Sequence, residues 1–201
     1  AIVIVAGMIA VVGLISLVVS IWLAFSYMKY NRTKNSLGLN GEQIARQVLD
    51  QNGLSHIKVS ASGSVLFGNS YSHYFKKVRL RRLTWHKDSV ASMAMATQKS
   101  SLAILDKQGD PDMKARIRMT PIIYIGPIAF IPLILVGVVL DAAIVHTTSP
   151  VWTIAFSVFG LLVYILSFVM SLKVLKTETK AQKIALDMMK NEPAITAGEV
   201  E

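Results

Sequence analysis

Apolar residues fall into three long blocks, with the polar positions gathered between and after them. Residues 1–28, AIVIVAGMIAVVGLISLVVSIWLAFSYM, carry no charged side chain, and this run exceeds the roughly 20 residues that cross a bilayer core as a helix. Two more blocks come late, PIIYIGPIAFIPLILVGVVL at 121–140 and VWTIAFSVFGLLVYILSFVM at 151–170. Each is long enough to span, and the short connector DAAIVHTTSP (141–150) makes the two a helical hairpin. Pro127 and Pro132 are expected to bend the first helix of that pair, where neighbouring groups can satisfy the freed carbonyls. A secretory signal would have a shorter apolar core between a basic start and a small-residue cleavage site, so the first block reads as a retained anchor. The pattern therefore predicts a mainly α membrane protein with spans at 1–28, 121–140 and 151–172.

Residues 29–120 carry the periodicities of a small α+β domain. LNGEQIARQVLDQNG predicts a helix capped by Asn40, with Gln43 at the capping-box position and Ile44, Val48 and Leu49 on one face. Gly53 ends it. HIKVS alternates, SASGS is turn material, and KKVRLRRL alternates again, which predicts two or three short strands. SVASMAMATQKSSLAIL (89–105) then reads as a helix with Asp88 as its cap, stopping before Gly109-Asp110-Pro111. Its residues are small enough for packing on most sides, with Gln98 and Lys99 at the middle. The tail, 173–201, begins as a polar continuation of the third span and is expected to fray near Pro193.

Charge fixes an orientation. The chain has 21 Lys and Arg against 12 Asp and Glu, a net charge of +9. Lys29, Arg32 and Lys34 follow the first span, Lys114, Arg116 and Arg118 precede the second, and Lys173, Lys176 and Lys180 follow the third. The 141–150 connector has no basic residue, so the positive-inside rule puts 29–120 and the tail in the cytoplasm and the N-terminus outside. An anionic inner leaflet accounts for this basic belt without nucleic acid. In FKKVRLRRLTWHK, alternation sets Lys77, Arg79 and Arg81 on one strand face, with Arg82 beside them, and Val78 and Leu80 on the other. Phospholipid headgroups are the expected contact of Lys77, Arg79, Arg81 and Arg82, an acidic protein partner being the other reading.

Chemistry-bearing patterns are few. There is no cysteine, which removes disulfides and thiolate metal sites. The histidines, His56, His73, His86 and His146, never stand three or four apart, so no helix face presents two imidazoles. Ser89, Ser92, Ser100 and Ser101 lie in no nucleophile elbow. Lys99 is adjacent to Ser100 on a helix and does not face it.

The order of features, with GEQIARQVLDQNGL, IKVSASG and KKVRLRRL leading into SVASMAMATQKSSLA, resembles the YugP-like family of bacterial membrane zinc metalloproteases over most of the chain. The resemblance implies a zincin-like cytoplasmic domain between the first and second spans, in a bacterial plasma membrane. It places the family's His-Glu-x-x-His-Ala on this helix, where the first His falls on Gln98, the Glu on Lys99, the second His on Leu102 and the Ala on Ala103. The family's third ligand, a Glu after the last span, falls near Leu175. The family's LTDHYDP segment corresponds to FGNSYSH, in which Tyr71 is retained. In the family the two imidazoles hold zinc and the Glu serves as general base. An amide, a cation and an aliphatic side chain do neither. The resemblance therefore implies a pseudo-protease with no catalytic residues, no metal site and no bound zinc. Such a chain would act as a binding or scaffold subunit of a membrane complex, with Gln98, Lys99 and Tyr71 meeting a peptide, a protein partner or a second copy. Two other readings stand beside it. One is an active peptidase with zinc on His73 and His86 or on Asp110 and Asp112. The other is an accessory subunit of a larger transporter or protease.

Overall fold

The computed structural model describes residues 2–63, 68–143 and 150–200. Residues 64–67, His146 with the rest of 144–149, and most side chains of the first apolar block before residue 17 lie outside the described residues. In order, the chain forms α1 (Ile2–Arg32), α2 (Gly41–Gln51), β1 (Lys58–Ser62), β2 (Ser70–Ser72), β3 (Lys77–Arg81), α3 (Arg82–His86), α4 (Val90–Lys107), α5 (Pro111–Ala143), α6 (Val151–Asn191) and α7 (Ala197–Val200). The protein is mostly helical with one small three-stranded sheet. It divides into two compact units, Ala1–Ala103 with Ile184–Glu201, and Ile104–Lys183.

In the first unit α2 starts with the predicted capping box. Asn40 Oδ1 accepts from the Gln43 amide and Gln43 Oε1 accepts from the Asn40 amide, each at 3.0 Å, satisfying two donors that a helix start leaves over. Ile44, Ala45, Val48 and Leu49 form its buried face. The chain leaves α2 through Gly53, whose φ of +65° is open to glycine at no steric cost. Arg46 then donates to the carbonyls of Ile57 (2.7 Å) and Leu54 (3.2 Å), tying α2 to the approach to β1.

The sheet runs β1-β3-β2, with β1 parallel and β2 antiparallel to the central β3. Two local expectations are corrected here. Ala61 and Ser62, expected as turn, are strand because they pair with Leu80 and Arg81. A long-range ladder overrides weak turn propensity. KKVRLRRL was expected to stay extended, but the strand ends at Arg81, whose amide donates to Asn69 Oδ1 at 2.7 Å. Arg82 then opens the short α3.

The cap of α4 is Ser89 rather than Asp88. Ser89 Oγ accepts from the Ser92 amide at 3.1 Å, while the Asp88 carboxylate pairs with Lys34 at 3.2 Å. The Asn35 amide donates to the Asp88 carbonyl and the Val90 amide to the Thr33 carbonyl, so the end of α1 and the start of α4 are stitched together. Packing on most sides holds: Ser92, Met93, Ala96, Thr97, Ser100 and Leu102 are all buried. The buried hydroxyls find acceptors, Ser101 on the Thr97 carbonyl (2.9 Å) and Ser100 on the Ala45 carbonyl (3.5 Å). At the C-terminus, Glu199 of α7 accepts from the amide (2.7 Å) and hydroxyl (2.6 Å) of Ser36.

In the second unit α5 passes unbroken through Pro121, Pro127 and Pro132 and pairs with α6. Hydrogen bonds link the pair along its length. Ser167 Oγ donates to the Ile122 carbonyl at 2.8 Å. The Asp141 carboxylate accepts from the amides of Trp152 (3.0 Å) and Thr153 (2.8 Å), capping the start of α6 from the end of α5. Gly137 lies so close to Thr153 that an added Cβ would sit 2.7 Å from its Cα, the small-residue contact common between membrane helices. Among the described residues, α5 and α6 are the two helices long and apolar enough to cross a bilayer. The third expected span falls on α1, where the side chains of residues 2–13, 15 and 16 lie outside the described residues.

Candidate functional site

The centre of α4 is where the resemblance would put metal chemistry. Small residues bury most of the helix circumference, leaving a strip formed by Ala94, Met95, Gln98 and Lys99. Gln98 and Lys99 are half-buried on that strip, each one turn beyond Ala94 and Met95 respectively. Leu102, one turn beyond Gln98, is 0% exposed and belongs to the core. The three positions thus present a neutral amide, a cation and a sealed aliphatic side chain. Leu175, at the expected third-ligand position on α6, is 59% exposed and equally without a lone pair.

Tyr71 is not on an open surface. It sits in β2 opposite Val78, 6% exposed, with its ring in the core alongside Val78 and Leu80. The basic strand matches its predicted alternation: Val78 and Leu80 are fully buried, while Lys77, Arg79 and Arg81 lie on the other face. Arg82 is exposed at the start of α3.

The alternative ligand sets hold other partners. His73 Nδ1 lies 3.3 Å from the Lys76 ammonium, and its ring meets Tyr74 edge-on at 5.6 Å. His56 and His86 are exposed. Asp110 and Asp112 do converge, but on Lys180, whose Nζ is 2.6 Å from Asp110 and 2.7 Å from Asp112. The Lys180 hydrogen bond holds the Asp110 carboxyl below its usual range against a smaller opposing effect of burial. The two carboxylates in turn raise Lys180. These groups lie outside the apolar stretches, at the polar base of the α5–α6 pair, where Arg116 also meets Glu178 at 2.8 Å. Among the described residues no group of three or more His, Asp or Glu is arranged to hold a metal ion.

Sequence reasoning passed over two features. Lys180 was read only as a positive flank, because its carboxylate partners lie about 70 residues away in the chain. Tyr74 and Phe75 drew no attention, although they are the aromatic pair at the tip of the β2–β3 hairpin, 68% and 70% exposed.

These positions belong to a small mixed sheet, a densely packed helix and a long apolar helix pair, in that order along the chain. A profile of the family described as "Putative neutral zinc metallopeptidase" matches residues 4–201, and the chain belongs to that family. No curated protein and no solved structure matches it significantly. The zinc implied by the family's name does not fit the residues on α4. Gln98 offers one neutral oxygen, Lys99 would repel a divalent ion, and Leu102 supplies no donor.

Proposed function

We propose that this protein is a degenerate, YugP-like member of the neutral zinc metallopeptidase family, acting as a non-cleaving binding or scaffold subunit of a membrane complex. The observation that carries this reading is the chemistry of α4. Where the resemblance asks for two imidazoles and a carboxylate, the helix has Gln98, Lys99 and a wholly buried Leu102. A general base must accept a proton from zinc-bound water, and an ammonium has no lone pair to do so. Gln98 and Lys99 remain on the helix's half-buried strip, where a peptide, a protein partner or a second copy would meet them. Nucleic acid has no part in this reading.

The proposed setting is a bacterial plasma membrane crossed three times, by α1 and the α5–α6 pair. The N-terminus would lie outside, with the sheet domain and tail in the cytoplasm. Supporting this are the two helices long enough to span and the basic residues confined to their shared end. Metal analysis with a peptidase assay on the purified protein tests the function: the expected result is substoichiometric zinc and no turnover. One zinc per chain, lost with activity on chelation, would overturn it.

A further inference from the structure

The polar face of the sheet has a composition that the sequence does not display as a unit. Registration places Lys58, Ser60 and Ser62 of β1 beside Lys77, Arg79 and Arg81 of β3, and Ser72 and Ser70 of β2 beside Lys77 and Arg79. Because paired residues share a face and alternate residues along a strand point the same way, these eight side chains form one surface. It holds four cations and four hydroxyls and not one carboxylate. The opposite face carries Val59, Ala61, Tyr71, Val78 and Leu80, of which Tyr71, Val78 and Leu80 are buried core.

At one end of this surface is the tip of the β2–β3 hairpin. The Lys76 amide closes the turn on the His73 carbonyl at 3.3 Å, and Lys76 takes a φ of +44°. That backbone leaves Tyr74 and Phe75 projecting into solvent, 68% and 70% exposed. The Arg79 guanidinium stands 5.5 Å from the Phe75 ring centre, so the aromatic tip is linked to the basic face through a cation–π contact.

We propose that this face and tip form a second attachment to the membrane, docking on a bilayer rich in anionic lipid. Lysine, arginine and serine donors match the phosphate groups of lipid headgroups, whose oxygens accept. Tyr and Phe rings settle at the depth of the headgroup–acyl boundary, the tyrosine hydroxyl remaining in water. Charge complementarity selects this occupant: each basic side chain near an anionic surface strengthens contact by about fivefold, and no acidic strand residue offsets it. Anchoring by the helices keeps the face at high effective concentration over the lipid, so modest affinity is enough. The inference rests on the membrane reading proposed above.

The test uses the full chain in vesicles. Because the sequence contains no cysteine, Ser72→Cys gives a unique site for a polarity-sensitive fluorophore at the neck of the hairpin. In phosphatidylcholine–phosphatidylglycerol vesicles at roughly 3:1, lipid with brominated acyl chains should quench the label at least about threefold more than in pure phosphatidylcholine. Arg79→Glu with Arg81→Glu should abolish that difference. Tyr74→Ser with Phe75→Ser should return the label to water while leaving the charges in place. Circular dichroism confirms that each variant folds, and Lys77→Gln with Arg79→Gln replaces the reversal if it does not. Equal access of iodide to the label in both vesicles, in protein that resists alkaline carbonate, overturns the docking and leaves the membrane reading intact. Release by carbonate overturns both. Shielding of the label by soluble RNA, equal in pure phosphatidylcholine, would instead assign the face to nucleic acid and overturn the proposal.

Discussion

Leu102→His separates a core position from a vacated ligand position. Leu102 is 0% exposed, so the substitution forfeits the burial of a leucine, about 1.5–3 kcal/mol. It also buries an imidazole, which costs roughly 1–3 kcal/mol if no partner is found. The sum, about 2.5–6 kcal/mol, is comparable with the roughly 5–15 kcal/mol stability of an ordinary domain. Leu102→Ala should cost about 2–5 kcal/mol, whereas Leu102→Met, which conserves volume, should cost less than about 1.5 kcal/mol. Denaturant unfolding of the detergent-solubilised protein, followed by circular dichroism, gives these differences. The sharper arm adds Gln98→His and Lys99→Glu to Leu102→His and repeats the titration with zinc. A ligand pocket still present would bind the ion, and zinc at about 100 times its Kd would return about 2.7 kcal/mol. The expectation is no saturable rescue. A triple variant stabilised by equimolar zinc, or a Leu102→His variant as stable as the parent, would refute the reasoning.

Three further outcomes follow from particular contacts. Asn40→Ala removes one half of the capping box on α2 and should destabilise the protein by about 0.5–2 kcal/mol, read as a shift in denaturant midpoint at unchanged slope. For the Lys180 cluster, Asp110 lies below its usual value of 3.8 and Lys180 above its usual value of 10.5. The pairing is therefore complete between those values, is lost as pH falls through the depressed folded pKa of Asp110, and is lost as pH rises through the raised one of Lys180. Lys180→Met should lower the thermal midpoint at neutral pH and make its fall in acid shallower, because Asp110 loses the main cause of its depressed pKa; a fall of unchanged depth would contradict the pairing. Burial works to raise the Glu199 carboxyl, but hydrogen bonds from Ser36 and Thr196 outweigh it and hold it below its usual value of 4.5. Its contact with Ser36 should then persist above that value and loosen as pH falls through the folded pKa. Lower protection of the Ser36 amide from deuterium exchange, relative to its intrinsic rate at the same pH, in acid and, at neutral pH, in Glu199→Gln, checks it.

What was legible in the sequence was governed by local rules. The box around Asn40 and Gln43, the stop at Gly53 and the alternation of Lys77 to Arg81 each depend on neighbours within a few residues, and each has its expected geometry. The errors arose where a distant group decides. Ala61 and Ser62 became strand because β3 lies alongside. Ser89 caps α4 in place of Asp88 because Lys34 engages the aspartate side chain and Asn35 its carbonyl. The serines of β1 and β2 acquire meaning only once registration sets them beside the cations of β3.

The α4 helix shows the same division within one element. Its small residues announced dense packing, and Ser92, Ser100 and Ser101 are indeed 0% exposed. Composition alone did not reveal which positions the packing would spare. Gln98 and Lys99 fall on the half-buried strip while Leu102 does not, so the three positions that the resemblance assigns to one chemical purpose have separate physical fates. Two polar residues stay half-exposed on the helix strip. The third has become core, where returning a ligand would cost much of the protein's stability. On the proposed reading, absence of the metal chemistry is built into the packing, since introducing it would require α4 to be reopened as well as re-armed.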